Sequence, residues 1–180
     1  MSENSTTKRG GKKVLLIAAG LCVAVSGAGG LYLAQAMGSL GSDPRADLPR
    51  LVMKDGTHVA PPAGDGTKPL ADKTQYQITY HPIAESFTSN LQGGSGFAQA
   101  QIAVSTFYDE QVVAALVMHD IAVRDVIVME LAETDGLALE TVAGKKELAT
   151  RLRDGINAML VAKTGFGGID EVYFTKLVLQ

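Results

Sequence analysis

The side chains with catalytic or ligating potential are few, and they are scattered. His58, His81 and His119 are the three histidines of the chain. None has a second histidine four residues on or a carboxylate motif of the kind that builds a metal site. Without such context a lone histidine is a surface or strand-end group rather than a base or ligand. His58 and His81 are expected to be exposed, and His119 to lie on a helix surface. Two acidic groups, Asp109-Glu110 and Glu133 with Asp135, bring carboxylates together. Such pairs can work as acid and base, but helix ends also gather carboxylates through the helix dipole. The glycine-rich runs Gly93-Gly94-Ser95-Gly96 and Gly165-Phe166-Gly167-Gly168 lack the Lys-Ser/Thr of a phosphate loop, and neither leads a strand into a helix. They read as turns. No catalytic residue, metal ligand, cofactor or small-molecule substrate is expected, and the chain is not expected to be an enzyme.

Composition narrows the field further. The 180 residues carry 16 Lys+Arg and 19 Asp+Glu, a net charge of −3. That balance leaves no basic footprint for nucleic acid. A single cysteine, Cys22, excludes an intramolecular disulfide and a cysteine-based zinc cluster. The mean hydropathy of +0.13 points to one concentrated apolar block.

That block is near the N-terminus. The first thirteen residues contain Lys8, Arg9, Lys12 and Lys13 against Glu3 alone. No charged residue then occurs from Val14 to Ser42. The stretch VLLIAAGLCVAVSGAGGLYLA, Val14 to Ala34, has twenty-one residues. As a helix it is roughly 31 Å long, against a hydrocarbon core of about 30 Å. The expected reading is an uncleaved single-pass anchor with a cytoplasmic tail at 1–13, a transmembrane helix at 14–37 and everything after it exported, because basic residues stay inside. A secretory signal peptide ending at Ala34-Gln35-Ala36 is the competing reading, but the apolar stretch exceeds a usual signal core. Within the span, Cys22, Ser26, Gly30 and Ala34 recur every fourth residue beside Gly20, Ala24 and Ala28. Such small-residue stripes permit close helix packing in lipid, although Gly and Ala are also common in membrane spans generally. Cys22 reads as a packing residue of that span.

Residues 38–73 read as a periplasmic linker, since five of the six prolines fall there and no apolar period persists. A flexible chain of that length has an end-to-end distance of roughly 30–36 Å. Leu51-Val52-Met53 is left open as a short strand or docking segment. An α+β domain is expected at 74–180. Its strands are placed at 76–80, stopped by Pro82, then at 85–91 and 97–107 as a hairpin. Along 97–107, Phe97, Gln99, Gln101, Ala103, Ser105 and Phe107 share one face, with Ile102 and Val104 on the other. Asp109 is expected to cap a helix carrying Val112, Val113, Leu116, Val117 and Ile121, with a second helical segment at 123–132 that Asp135-Gly136 ends. Val126-Ile127-Val128 also suits a buried strand. Arg124, Asp125 and Glu130 on one polar face favour helix. Thr141 then caps a helix from Val142 to about Lys163, with Leu148, Leu152, Ile156, Met159 and Leu160 as its buried stripe, and Gly165 ends it. Residues 171–179 form the last strand, with Val172, Phe174, Lys176 and Val178 on one face and Tyr173, Thr175, Leu177 and Leu179 on the other. Both faces look apolar, so this strand is expected inside the domain or at a subunit contact.

Five segments in order resemble the FliL family of flagellar basal-body-associated inner-membrane proteins. Phe87-Thr88-Ser89-Asn90-Leu91 resembles its "ftvNL" strand, and Val123-Arg124-Asp125-Val126-Ile127 its "irdai" helix. Leu139 to Leu148 is similar to its "L-x-T-x-x-G-K-x-x-L" capped helix. Asn157 falls on its "iN", and Val172 to Gln180 is similar to its closing "VyFtxfvvQ". The loop at 92–96 is glycine-rich where many relatives are acidic, and Glu133-Thr134-Asp135 replaces a serine-rich turn. The resemblance implies a periplasmic domain like that of stomatin-type (SPFH-like) proteins. It also implies a ring-forming homo-oligomer, association with flagellar stator units and the basal-body ring, and a part in rotation, motility and chemotaxis. The alternatives are a membrane-tethered ligand-binding module or enzyme, which would need a deep pocket with convergent polar groups, and a generic envelope scaffold. Mass spectrometry of the mature protein is expected to find the N-terminal tail retained; a chain starting at Met37 would instead establish the signal peptide.

Overall fold

The computed structural model describes residues 45–94 and 96–180. The architecture is α+β. Four strands, β3 (Thr79–Pro82), β4 (Phe87–Asn90), β5 (Phe97–Thr106) and β6 (Glu171–Leu179), make one antiparallel sheet. Four helices, α1 (Glu110–Met118), α2 (Asp120–Ala132), α3 (Gly136–Glu140) and α4 (Val142–Thr164), separate β5 from β6 in the chain. Strand β5 is the spine. It pairs with β6 from Ala98 to Ser105 along one edge, and with β4 and β3 end to end along the other. Among the described residues no helix is long and apolar enough to cross a membrane. The expected span at 14–37, with its small residues Gly20, Cys22, Ala24, Ser26, Gly30 and Ala34, lies outside them.

Two local features explain how the helices start and stop. Asp109 accepts a hydrogen bond from Gln111 N at 3.2 Å and caps α1, and Thr141 Oγ1 accepts from Gly144 N at 3.0 Å and caps α4. Gly165, at φ +83°, closes α4 in the left-handed conformation that only glycine adopts freely. The buried stripe of α4 is Leu148, Leu152, Ile156 and Leu160, with Met159 partly buried beside it.

Three expectations need correction. The stretch 45–73 is not a free linker but belongs to the same compact unit as the rest of the domain. Leu51 and Val52 form β1, paired with β2 (His58–Val59). Leu51 is 1% exposed, which by its apolar area contributes about 1.5–3 kcal/mol. Backbone bonds join this arm to the domain on both sides: Val52 N donates to Phe107 O, Asp109 N to Arg50 O, and Gly167 N to Asp65 O. Prolines removed the apolar period that marks a strand, yet the arm docks by its backbone, which periodicity does not register.

The second correction concerns β6. A register shift at Gln101/Ile102 sets Gln101 opposite Lys176 and Ile102 opposite Phe174, so Thr175 is an extra residue, a β-bulge. The bulge moves the alternation on by one. Val172 and Phe174 before it, and Leu177 and Leu179 after it, therefore all pack on the core side. The strand has one apolar face, not two, and it forms a sheet edge rather than the sheet interior. The third correction is where the two helical segments divide, at His119 and not between Ile121 and Val123. The helix breaks at His119 (φ −107°, ψ 26°), and a further short helix, α3, is capped by Asp135. The strand expected at 76–80 also lies later, as β3 at Thr79–Pro82, and includes Pro82 at its end. Along β5, Ala98, Ala100, Ile102 and Val104 face the core, Ala103, Ser105 and Thr106 are buried as well, and Phe97 and Gln101 are exposed.

The helical layer and the sheet meet at the loop 165–170. Asn157, 2% exposed, donates from Nδ2 to Ile169 O at 2.8 Å and accepts at Oδ1 from Ile169 N at 2.9 Å. A Cβ at residue 167 would lie 2.6 Å from that same Oδ1, so glycine is required for the approach. Thr106 Oγ1 donates to Gly168 O at 2.7 Å, and Asp170 N donates to Ser105 O at 2.8 Å. Replacing Asn157 by alanine orphans both polar groups of Ile169. Chemical denaturation of Asn157→Ala should show a loss of about 2–4 kcal/mol, whereas a loss under about 0.5 kcal/mol would show that water substitutes freely. Gly144 makes a second, opposite test. Alanine is favoured over glycine in a helix by about 1 kcal/mol, yet a Cβ there would run into the Ala138 carbonyl of α3. Thermal melts of Gly144→Ala should therefore show destabilisation against the propensity.

Candidate functional site

The groups singled out for chemistry are dispersed by the fold. His58 is exposed on β2, with Nδ1 3.8 Å from Asp109 Oδ2. His81 is half-buried on β3, and His119 sits at the junction of α1 and α2. Asp109 and Asp135 use their carboxylates as helix caps. Among the described residues no group of three or more His, Cys, Asp or Glu side chains could hold a metal ion.

The polar residues of the family-like segments are also committed to the fold. Arg124 donates from Nε to Asp120 Oδ2 at 2.8 Å and from Nη2 to Ala84 O at 2.6 Å, and its Nη1 lies 3.2 Å from Glu85 Oε2. Its guanidinium also covers the Phe87 ring at 5.4 Å. One planar side chain thus ties the β3–β4 loop to α2, a task that needs the fork of arginine. The hydrogen bond that it donates to Asp120 holds this guanidinium even more firmly charged than usual. Arg151 does the same between α4 and the end of α2, bonding Glu130 Oε2 at 3.1 Å and Thr134 Oγ1 at 2.6 Å.

On the open face of the sheet, Tyr80 and Tyr173 meet edge to face with centroids 5.6 Å apart. The Tyr173 hydroxyl donates to Glu171 Oε2 at 2.7 Å. Burial first, and then the Glu171 carboxylate, push its pKa up to about 12, so it stays a protonated donor and has no use as a base. Ser105 Oγ is buried close by. It is near enough to act on the Tyr173 hydroxyl but makes no well-formed hydrogen bond. The grooves are open rather than enclosed. One of about 410 Å³ lies between α4 and β6, lined by Lys146, Thr150, Arg153 and Tyr173.

What the surface does present is apolar. Val117, Met118 and Ile121 are 61%, 77% and 86% exposed at the α1–α2 corner. Val117 and Ile121 fit a helical apolar pattern in the sequence, and that pattern suggests a core position. The break at His119 turns Ile121 outward instead, and only Val112 and Leu116 of α1 are buried. The histidine–aspartate pair inside the apolar run is the one feature of the sequence that could have marked the break, since Asp favours helix starts. Leu137 and Val142 form a second exposed apolar pair around α3.

Comparison with known proteins agrees with the motifs. A search of curated proteins finds no match. The family model described as "Flagellar basal body-associated protein FliL" matches residues 80–180, which takes in the hairpin, all four helices and the closing strand. Over half of the chain is covered, and the chain belongs to the FliL family of flagellar basal body-associated proteins.

Proposed function

We propose that this chain is a non-enzymatic inner-membrane component of the flagellar basal body that associates with stator units. In this reading residues 1–13 are cytoplasmic, 14–37 span the membrane and the folded domain is periplasmic. The domain has a stomatin-like (SPFH-like) role as a homo-oligomeric, ring-forming scaffold that supports rotation, motility and chemotaxis. The observation that carries the reading is how this family domain uses its residues. The charged and polar side chains of its motifs, Arg124, Thr141 and Asn157, are engaged in caps and clamps, and its outward features are apolar corners and tyrosines. That surface suits contact with other molecules more than chemistry on them.

A scaffold of this kind works by preference. It can shift the stator between active and inactive states only by the difference in its affinity for the two. A tenfold shift needs about 1.4 kcal/mol, which one or two well-placed apolar contacts supply. Two strains test the reading. Deleting the gene should shrink swimming haloes while filaments persist, and complementation should restore them. Alanine variants at His58, His81 and His119 should swim normally at normal abundance. A stable, correctly located histidine variant that cannot swim would contradict the non-enzymatic role.

A further inference from the structure

We propose that the apolar corner formed by Val117, Met118 and Ile121 rests on the lipid surface to which the chain is tethered. The inference builds on the membrane-anchor reading above. Nothing in the fold requires three neighbouring apolar side chains to stand 61–86% exposed, and the break at His119 is what turns them out.

The length of the tether favours lipid as the occupant. The folded unit begins at Arg45, and the apolar stretch of the sequence ends at Ala34. In the anchor reading the span runs to residue 37, so only residues 38–44 lie between, a reach of at most about 25 Å when fully extended. The expected linker of residues 38–73 would have left the domain much freer. The chain also enters the domain beside this corner. Asp47, Leu48 and Pro49 line one groove with Ala115, Met118 and Phe166, and Arg50 N bonds Asp109 Oδ2 at the start of α1. The described chain therefore begins along α1, on the side that carries Met118.

The neighbouring charges set the depth and the lipid class. The Asp120 carboxylate is engaged by Arg124, but Asp47 and the exposed Asp125 carry negative charge near the corner. These carboxylates must stay among the headgroups, so the contact is shallow, and a zwitterionic surface suits it better than an anionic one.

The chain contains no tryptophan, so one introduced tryptophan reports alone. The full chain is reconstituted in phosphatidylethanolamine–phosphatidylcholine vesicles with and without brominated acyl chains. Ile121→Trp and Met118→Trp are the probes, and Phe97→Trp, at an exposed position at the start of β5, is the reference. Both corner tryptophans should emit to the blue of the reference and lose intensity to bromine, while the reference does not. Emission like the reference, in a chain that floats with the vesicles, overturns the corner contact and leaves the anchor standing. A blue shift without bromine quenching that grows with protein density overturns it in favour of a second copy. A chain that fails to float with the vesicles overturns the anchor reading and the corner contact together.

Discussion

The domain depends on one buried amide. Asn157 projects from the middle of α4 and holds both backbone groups of Ile169, at the point where the chain turns from the helical layer back into the sheet. Peptide groups in an apolar interior must find partners, and a loop has no ladder of its own to provide them. Here the loop is satisfied from every side. Asn157 holds it from α4, Thr106 and Ser105 hold it from β5, and the backbone of Asp65 and Gly66 holds it from the N-terminal arm. Lys73 adds an ion pair to Asp170 at 2.6 Å. Three parts of the fold thus converge on four residues, 167–170, and the glycines at 167 and 168 are the consequence. The first leaves room for Asn157, and the second sits at φ +97° against Val112, Phe166 and Tyr108.

The legible parts of the fold are those with local causes. Thr141, Gly165, Asp109 and the stripe along α4 act within a few residues, and each is where the sequence places it. The 85–91/97–107 hairpin is equally visible, observed as β4 and β5 with Phe87 opposite Ala100. What escapes a reading of the sequence has non-local causes. The bulge at Thr175 exists only in relation to β5, and without it the alternation of β6 points to two apolar faces. The arm at 45–73 docks by backbone bonds whose partners are up to a hundred residues away. The exposed corner escapes for a related reason: hydrophobicity marks Val117 and Ile121 in the sequence, but only the break at His119 decides on which side they fall.

This division separates fold from function in the family. The residues that make the chain recognisable as a FliL protein are inward-facing or tied to their neighbours: Leu91, Arg124, Gly144, Asn157 and Val172 all serve packing, capping or clamping. Of the exposed apolar side chains, Met118, Ile121 and Tyr80 lie outside those motifs and Val142 lies within one. In the proposed anchor reading, a short tether would raise the domain's effective concentration for partners in the same plane without any new contact.

The central claim is that the chain acts by preferring one state of the stator and not by chemistry. The most direct measurement is the dwell time of a fluorescent stator subunit at single motors, with the chain present and with it deleted. A preference for the engaged state predicts a shorter dwell in the deletion strain and recovery on complementation. Unchanged dwell in a strain that has nevertheless lost motility would contradict the account.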